Sequence, residues 1–142
     1  MIYTKATKKA LAICFNAHKE QTDKSGLPYV FHPFHLAEQM ETEDTVVAAL
    51  LHDVIEDTEY TFEDLRKEGF SEAVIEALIL LTHKEGVEYM DYVKGIKKNP
   101  IAKAVKLADL AHNSDLSRLD KVDEKALERR EKYIKAREEL LK

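Results

Sequence analysis

Six consecutive apolar residues, Val46-Val47-Ala48-Ala49-Leu50-Leu51, constrain this chain more than any other segment. On a helix such a run covers the whole circumference and leaves no face for water. The segment must therefore be a central buried helix, which Asp44 or Thr45 is placed to cap. Its neighbours read as helices too. Leu11, Ala12, Phe15 and Ala17 recur at three-to-four spacing between Thr4 and Lys19. Pro33 suits the first turn of a short helix to about Met40, and Thr61 opens another to about Lys67. Ser71 caps a helix through Thr82 whose inner face is Val74, Leu78 and Leu81. A further helix, Glu88–Lys97, stops at Asn99-Pro100, because the residue before proline is pushed out of the α region. Helical spacing resumes from Ile101 to His112, and a charged amphipathic helix over residues 123–141, with Leu127, Tyr133 and Leu140, closes the bundle. No stretch alternates with period two. The expectation is an all-α helical bundle forming one domain over residues 1–142.

With 44% hydrophobic residues in 142, the chain has enough apolar matter to offset ordering entropy, which excludes a disordered protein. Its net charge of −5 and lack of a basic run argue against partners such as nucleic-acid polymers or anionic membranes. No apolar stretch approaches the roughly 18–20 residues of a membrane span. The lone cysteine, Cys14, excludes an internal disulfide framework, reads as a small core residue and fits a reducing cytoplasm. The N-terminus has no signal-peptide anatomy.

The chemistry concentrates in Leu51-His52-Asp53-Val54-Ile55-Glu56-Asp57-Thr58. Continued as a helix, this stretch places Glu56 one turn beyond His52 and Asp53, and Asp57 one turn beyond Asp53. Three carboxylates there oppose the helix macrodipole, and burying them unpartnered costs several kcal/mol each, on the order of magnitude known for unpaired charge. The stretch supplies no cation of its own, so a divalent metal competes with a solvated charged turn. Two further segments favour the metal. His32 follows the Gly/Pro loop, and Asp109 shares a face with Val105, Ala108 and His112. Together His32, His52, Asp53 and Asp109 form a mixed nitrogen and oxygen set suited to Mn²⁺, Fe²⁺ or Zn²⁺. His35 reads as a surface or packed imidazole and His112 as a satisfied core histidine, with support of the metal site or its pocket the alternative for each, and His18 reads as a helix end or a pocket residue. His83 reads as an exposed turn, and Tyr89 and Tyr92 read as packing residues.

Three ordered motifs carry a resemblance over about His18 to Asn113. They are Ser25-Gly26-Leu27-Pro28-Tyr29 with His32-Pro33, then His52 to Thr58, then Lys106-Leu107-Ala108-Asp109 with His112-Asn113. In these the chain resembles the HD-domain metal-dependent phosphohydrolases, and more closely the hydrolase domain of RelA/SpoT homologues, which removes the 3′-pyrophosphate of the alarmone (p)ppGpp. The resemblance implies a helical HD fold and Mn²⁺ held by His32, His52, Asp53 and Asp109, with Mg²⁺ among the possible alternatives. It implies Glu56 and Asp57 as the catalytic acids that position and activate water. Lys24, Ser25 and Asn113 are implied as substrate contacts. Asp23 stands where the family usually carries arginine, and Asp115 and Leu116 stand where it tends to show arginine and threonine. Lys24 and Lys106 remain as phosphate partners. The expected function is hydrolase only, without a synthetase domain. The alternatives are an HD phosphohydrolase acting on another nucleotide or small phosphoester, and a nucleotide-sensing module without turnover.

Overall fold

The computed structural model describes residues 1–142 and consists of nine α-helices with no strand. In chain order they are α1 (Lys5–His18), α2 (Phe31–Glu38), α3 (Glu43–Leu51), α4 (Val54–Asp57), α5 (Phe62–Lys67), α6 (Glu72–Leu81), α7 (Tyr89–Ile96), α8 (Pro100–Asn113) and α9 (Glu124–Leu141). As the apolar run predicts, α3 is the axis of the bundle. All six residues from Val46 to Leu51 are buried, and α1, α2, α6 and α8 pack around them. Their side chains belong to one contiguous core of 26 buried residues that draws on every long helix, including Ala136 and Leu140 of α9. No helix is long and apolar enough to cross a membrane.

Three local expectations are corrected. The cap of α3 is Thr42, not Asp44 or Thr45: its hydroxyl accepts the Thr45 amide at 3.2 Å while Thr45 Oγ1 accepts the Thr42 amide. This reciprocal pair satisfies two helix-end donors at once, which a lone aspartate cannot do. On α1 the buried face is Thr7, Ala10, Ile13, Cys14 and His18, whereas Ala12 and Phe15 are exposed. Thr7 and His18 lie inside because each finds a hydrogen-bond partner there, so polarity did not decide the face. The third correction bears on the site. The apolar helix does not continue through Asp57. It ends at Leu51, His52 and Asp53 form a turn, and α4 is a separate one-turn helix. Asp53 carries the break with φ −104° and ψ −2°.

The loop between α1 and α2 folds back on itself. Asp23 and Tyr29 donate backbone N–H bonds to Leu27 and Gln21, both at 2.8 Å, and Gly26 takes φ +83° at the tip. A side chain there would sit in the left-handed region, which only glycine adopts at little cost. Asp23 Oδ1 accepts from the Ser25 amide, the Ser25 hydroxyl and the Leu27 amide.

Because α3 touches four helices, Leu50→Ala should lower unfolding free energy by about 2–5 kcal/mol, the range for emptied buried leucine sites. Urea unfolding measures it. A loss under about 1 kcal/mol would show that the bundle does not depend on this axis.

Candidate metal centre and its groove

Three elements converge where α3 ends. α2 contributes His32, the turn after α3 contributes His52 and Asp53, and α8 contributes Asp109. One ligand atom each from His32, His52 and Asp109 lies within 4.8 Å of the others, and all three residues are buried. His32 Nε2 is 2.8 Å from Asp109 Oδ1, and His52 Nε2 is 3.7 Å from the same oxygen. Asp53, expected as the fourth ligand, is not within that mutual group but lies beside it, its Oδ2 3.0 Å from the same His52 Nε2. The turn at residues 52 and 53 makes this possible, since it aims both side chains of the pair into one space.

His52 shows what the cluster is suited to hold. Its Nδ1 lies 2.6 Å from the Ala49 carbonyl oxygen, a position that requires Nδ1 to carry a proton and donate. Nε2 is then the free lone pair. It is buried without a hydrogen bond of proper geometry, facing carboxylate oxygens at 3.0 and 3.7 Å. A lone pair among carboxylates is repulsive unless a cation stands between them. A proton meets that need in part: burial disfavours the charged ring, but Asp53 and Asp109 outweigh it and hold His52 well above the ordinary imidazole value. A divalent ion meets it with both imidazoles and both carboxylates, and the mixed nitrogen and oxygen donor set fits such an ion.

The surroundings brace each acid. Burial alone would drive the Asp109 carboxyl upward. The Lys106 ammonium, 2.9 Å from Oδ2, and the two imidazoles instead hold it well below the usual carboxylate range. Asn113 Nδ2 donates to Asp109 Oδ1 at 3.0 Å. Lys106, read from the sequence as a phosphate partner, is largely buried on Asp109; burial disfavours its charge, but Asp109 keeps it protonated. The Tyr29 hydroxyl donates to Asp53 Oδ2, and burial and the Asp53 charge push the phenol up. His32 Nδ1 meets His112 Nδ1 at 2.7 Å. His112 is lowered to about 4, by burial first and then by Arg118.

Glu56 and Asp57 stand apart from the buried cluster, both solvent-accessible. Glu56 lines the same pocket as His52, Asp53 and Asp109. Its Oε1 accepts the His83 backbone N–H at 2.7 Å, and burial raises its carboxyl from the ordinary value despite that bond. Asp57 lies on the other side of α4, where Gln21 Nε2 donates to its Oδ2 at 3.2 Å. Gln21 is in turn held by fully buried His18, whose Nδ1 is 2.9 Å from its Oε1.

Two pockets open onto the cluster and meet at Asn113 and Tyr133. The smaller, about 200 Å³, holds Glu56, His83, Tyr92, Lys106 and Lys132 beside the cluster. The larger, about 420 Å³, runs past His32 and Tyr29 to Lys24, Arg118 and Arg129. Lys24 is lowered by burial and by repulsion from Arg129 and Lys132, so these cations share one field. Ser25 does not line either pocket, and its hydroxyl donates to Asp23 at 2.6 Å. Asp23 turns inward to cap its own loop and pairs with Arg118 at 3.1 Å. Asp115 is spent on capping the short 3₁₀ turn Leu116–Arg118.

Tyr29 stands in the first motif with no role assigned to it there, and four further residues in this construction were not singled out from the sequence: Gln21, Arg118, and Arg129 and Lys132 of α9. The last two share a helix face with Tyr133 at i, i+3 and i+4 spacing, a signal visible in the sequence but indistinguishable there from a solvated stripe. His83 is more than an exposed turn, since its ring stacks on Tyr92 at 4.5 Å and its amide holds Glu56. Cys14 is buried as expected, and burial pushes its thiol up to about 12, which leaves it unreactive.

Comparison with known proteins fits this geometry. A GTP pyrophosphokinase of Streptomyces coelicolor is 34% identical over 142 residues, an alignment covering 89% of this chain and 17% of that one. The bifunctional (p)ppGpp synthase/hydrolase SpoT of Escherichia coli is 39% identical over 94 residues, 63% of this chain and 12% of that one. The chain thus spans 12% to 17% of the length of these curated relatives. A solved structure of a metazoan ortholog of SpoT, described as hydrolysing ppGpp, superposes with a TM-score of 0.76 at 25% identity, covering 99% of this chain and 86% of that one. The HD domain model matches residues 10–137, nearly the whole of the bundle described above, and the chain therefore belongs to the HD domain family.

Proposed function

We propose that this chain is a manganese-dependent pyrophosphohydrolase that removes the 3′-pyrophosphate of (p)ppGpp, acting as one hydrolase domain over residues 1–142 in the cytoplasm. The observation that carries this reading is the buried His52 lone pair, which faces two carboxylates and calls for a divalent ion. The names of the relatives and of the structural neighbour support the substrate. In this reading His32, His52, Asp53 and Asp109 hold the ion. When bound, it supplies Lewis-acid polarisation of phosphoryl oxygen and acidifies water.

The remaining work falls to the chain's own side chains. Glu56, raised by burial and steadied by the His83 amide, is the carboxylate that acts as general base and takes the proton of the attacking water. Asp57, oriented by Gln21, helps place that water. Lys24, Arg129 and Lys132 line the groove beside the cluster and offset the charge of a polyphosphate. The aspartates at positions 23 and 115 also line the larger pocket; the charge of Asp23 is paired with Arg118 at 3.1 Å and its Oδ1 is bonded within the loop. Asn113 stands where the two pockets meet, within reach of a nucleotide bridging them.

Incubating the purified chain with a nucleotide panel that includes ppGpp, with Mn²⁺ or with chelator, tests the reading. Pyrophosphate release from ppGpp only with metal is expected. Release from other nucleotides with ppGpp untouched would overturn the substrate, and no release from any would overturn the activity. Glu56→Gln should keep its metal and lose about 10²–10⁴-fold in kcat, the usual contribution of a positioned acid or base. An unchanged kcat would remove Glu56 from that role. Lys132→Ala and Arg129→Ala should raise KM for ppGpp more than they lower kcat, as expected when groups bind ground and transition states alike.

The cluster also predicts how metal binding depends on pH. His52 is held above the ordinary imidazole value, so without metal its Nε2 keeps a proton that the ion must displace. Affinity for Mn²⁺ should therefore rise as pH climbs through the ordinary imidazole value and level off above the folded one. Calorimetric titrations at a series of pH values read this directly. A pH-independent affinity would show that no such proton is displaced.

A further inference from the structure

The two imidazoles of the cluster are aimed by different devices. His52 is tied through Nδ1 to the Ala49 carbonyl, 2.6 Å away, on its own helix. His32 is gripped from outside its helix, at both ring nitrogens, by two residues of α8 one turn apart. Its Nε2 meets Asp109 Oδ1 at 2.8 Å, and its Nδ1 meets His112 Nδ1 at 2.7 Å. The rings of His32 and His112 lie 5.0 Å apart with planes 7° from parallel. His112 is itself fixed. Exposed His35 packs on its ring at 4.3 Å, and its carbonyl oxygen accepts Arg118 Nη1 at 2.9 Å.

Two nitrogens 2.7 Å apart share one proton. If an ion occupies Nε2 of His32, the ring's proton must sit on Nδ1, and a buried N–H needs an acceptor. The nitrogen in place to accept is Nδ1 of His112. We propose that His112 is a positioning residue of the metal centre: by accepting the His32 Nδ1 proton it sets the tautomer and ring orientation that present Nε2 to a divalent cation. This rests on the reading that His32, His52 and Asp109 hold such an ion, and it assigns to His112 a part that the motif alone leaves open. Imidazole ligands generally depend on such a partner, whose removal costs roughly 10–100-fold in metal affinity.

The test is titration of the purified chain and two variants with Mn²⁺ by calorimetry. His112→Leu keeps bulk but has no acceptor, and should bind about 10–100-fold more weakly. His112→Asn places an amide oxygen close to where Nδ1 stood, and should recover most of that loss. A role in packing alone would not distinguish the two. If His112→Leu binds as tightly as the native chain, the proposal is overturned while the metal reading stands. If the native chain binds neither Mn²⁺ nor Zn²⁺, the metal reading falls and this one with it. Should His112→Leu fail to fold, nitrogen-15 NMR of the native chain loaded with diamagnetic Zn²⁺ decides the matter. A His32 proton on Nδ1, hydrogen-bonded to a nitrogen acceptor, is expected, and a proton on neither or a bond to solvent would overturn the assignment.

Discussion

The candidate metal centre depends on a buried ion pair, Lys106 on Asp109, 2.9 Å apart on successive turns of α8. A carboxylate at that depth is tolerable only if its charge is answered on every side, and here each oxygen is answered. Lys106 takes Oδ2, while His32 and Asn113 take Oδ1. Removing one member of such a pair leaves an uncompensated charge, a loss of about 3–5 kcal/mol in comparable buried pairs. The arrangement has a functional corollary. Lys106 is committed to Asp109, and its charge reaches the pocket only as part of that pair. Other cations lining the groove lie elsewhere, at Lys24 and on α9.

That division shows how an aspartate is accommodated at position 23. Asp23 in the usual arginine position looks like a reversal of charge. In the structure its carboxylate is a loop cap, held below its ordinary range by the Ser25 hydroxyl and backbone amides despite burial, and it binds Arg118. Arg118 in turn reaches the His112 carbonyl, so one cation joins the loop, the end of α8 and the support of His32. The negative residue is thus part of the scaffold that carries Lys24, and the other cations of the groove, Arg118, Arg129 and Lys132, come from residues that no local motif contains.

What was legible in the sequence follows from range. Val46 to Leu51 announced the central helix because six apolar residues cover its whole circumference, and Ser71 was legible as a cap; Pro100, legible as the stop of α7, is also the first residue of α8, which Asn99 caps. His32, His52, Asp53 and Asp109 were legible as a set because each is a polar group where apolar spacing or cost demanded a partner. The break at His52-Asp53 was not. Nothing in the composition of that stretch interrupts a helix, and the turn shows only in the backbone of Asp53. Nor could spacing show that Tyr29 serves Asp53, or that Arg129 and Lys132 turn toward the groove, since both depend on how α1, α2 and α9 are laid against α3 and α8.

The broken helix is what separates the two kinds of work. Had α3 run on, Asp53, Glu56 and Asp57 would have crowded one end of a single helix, each raising the others' cost of ionisation and all opposing its dipole. The turn instead sends Asp53 into the buried cluster, where His52 and Tyr29 answer it, and starts a new one-turn helix whose two acids stay at the surface. Glu56 then faces the cluster pocket with its carboxyl raised by burial, while Asp57 is turned away onto Gln21. Three neighbouring carboxylates thereby occupy three environments, one suited to holding a cation, one to handling a proton and one to orienting a donor. A continuous helix at this point has no means of giving them different properties.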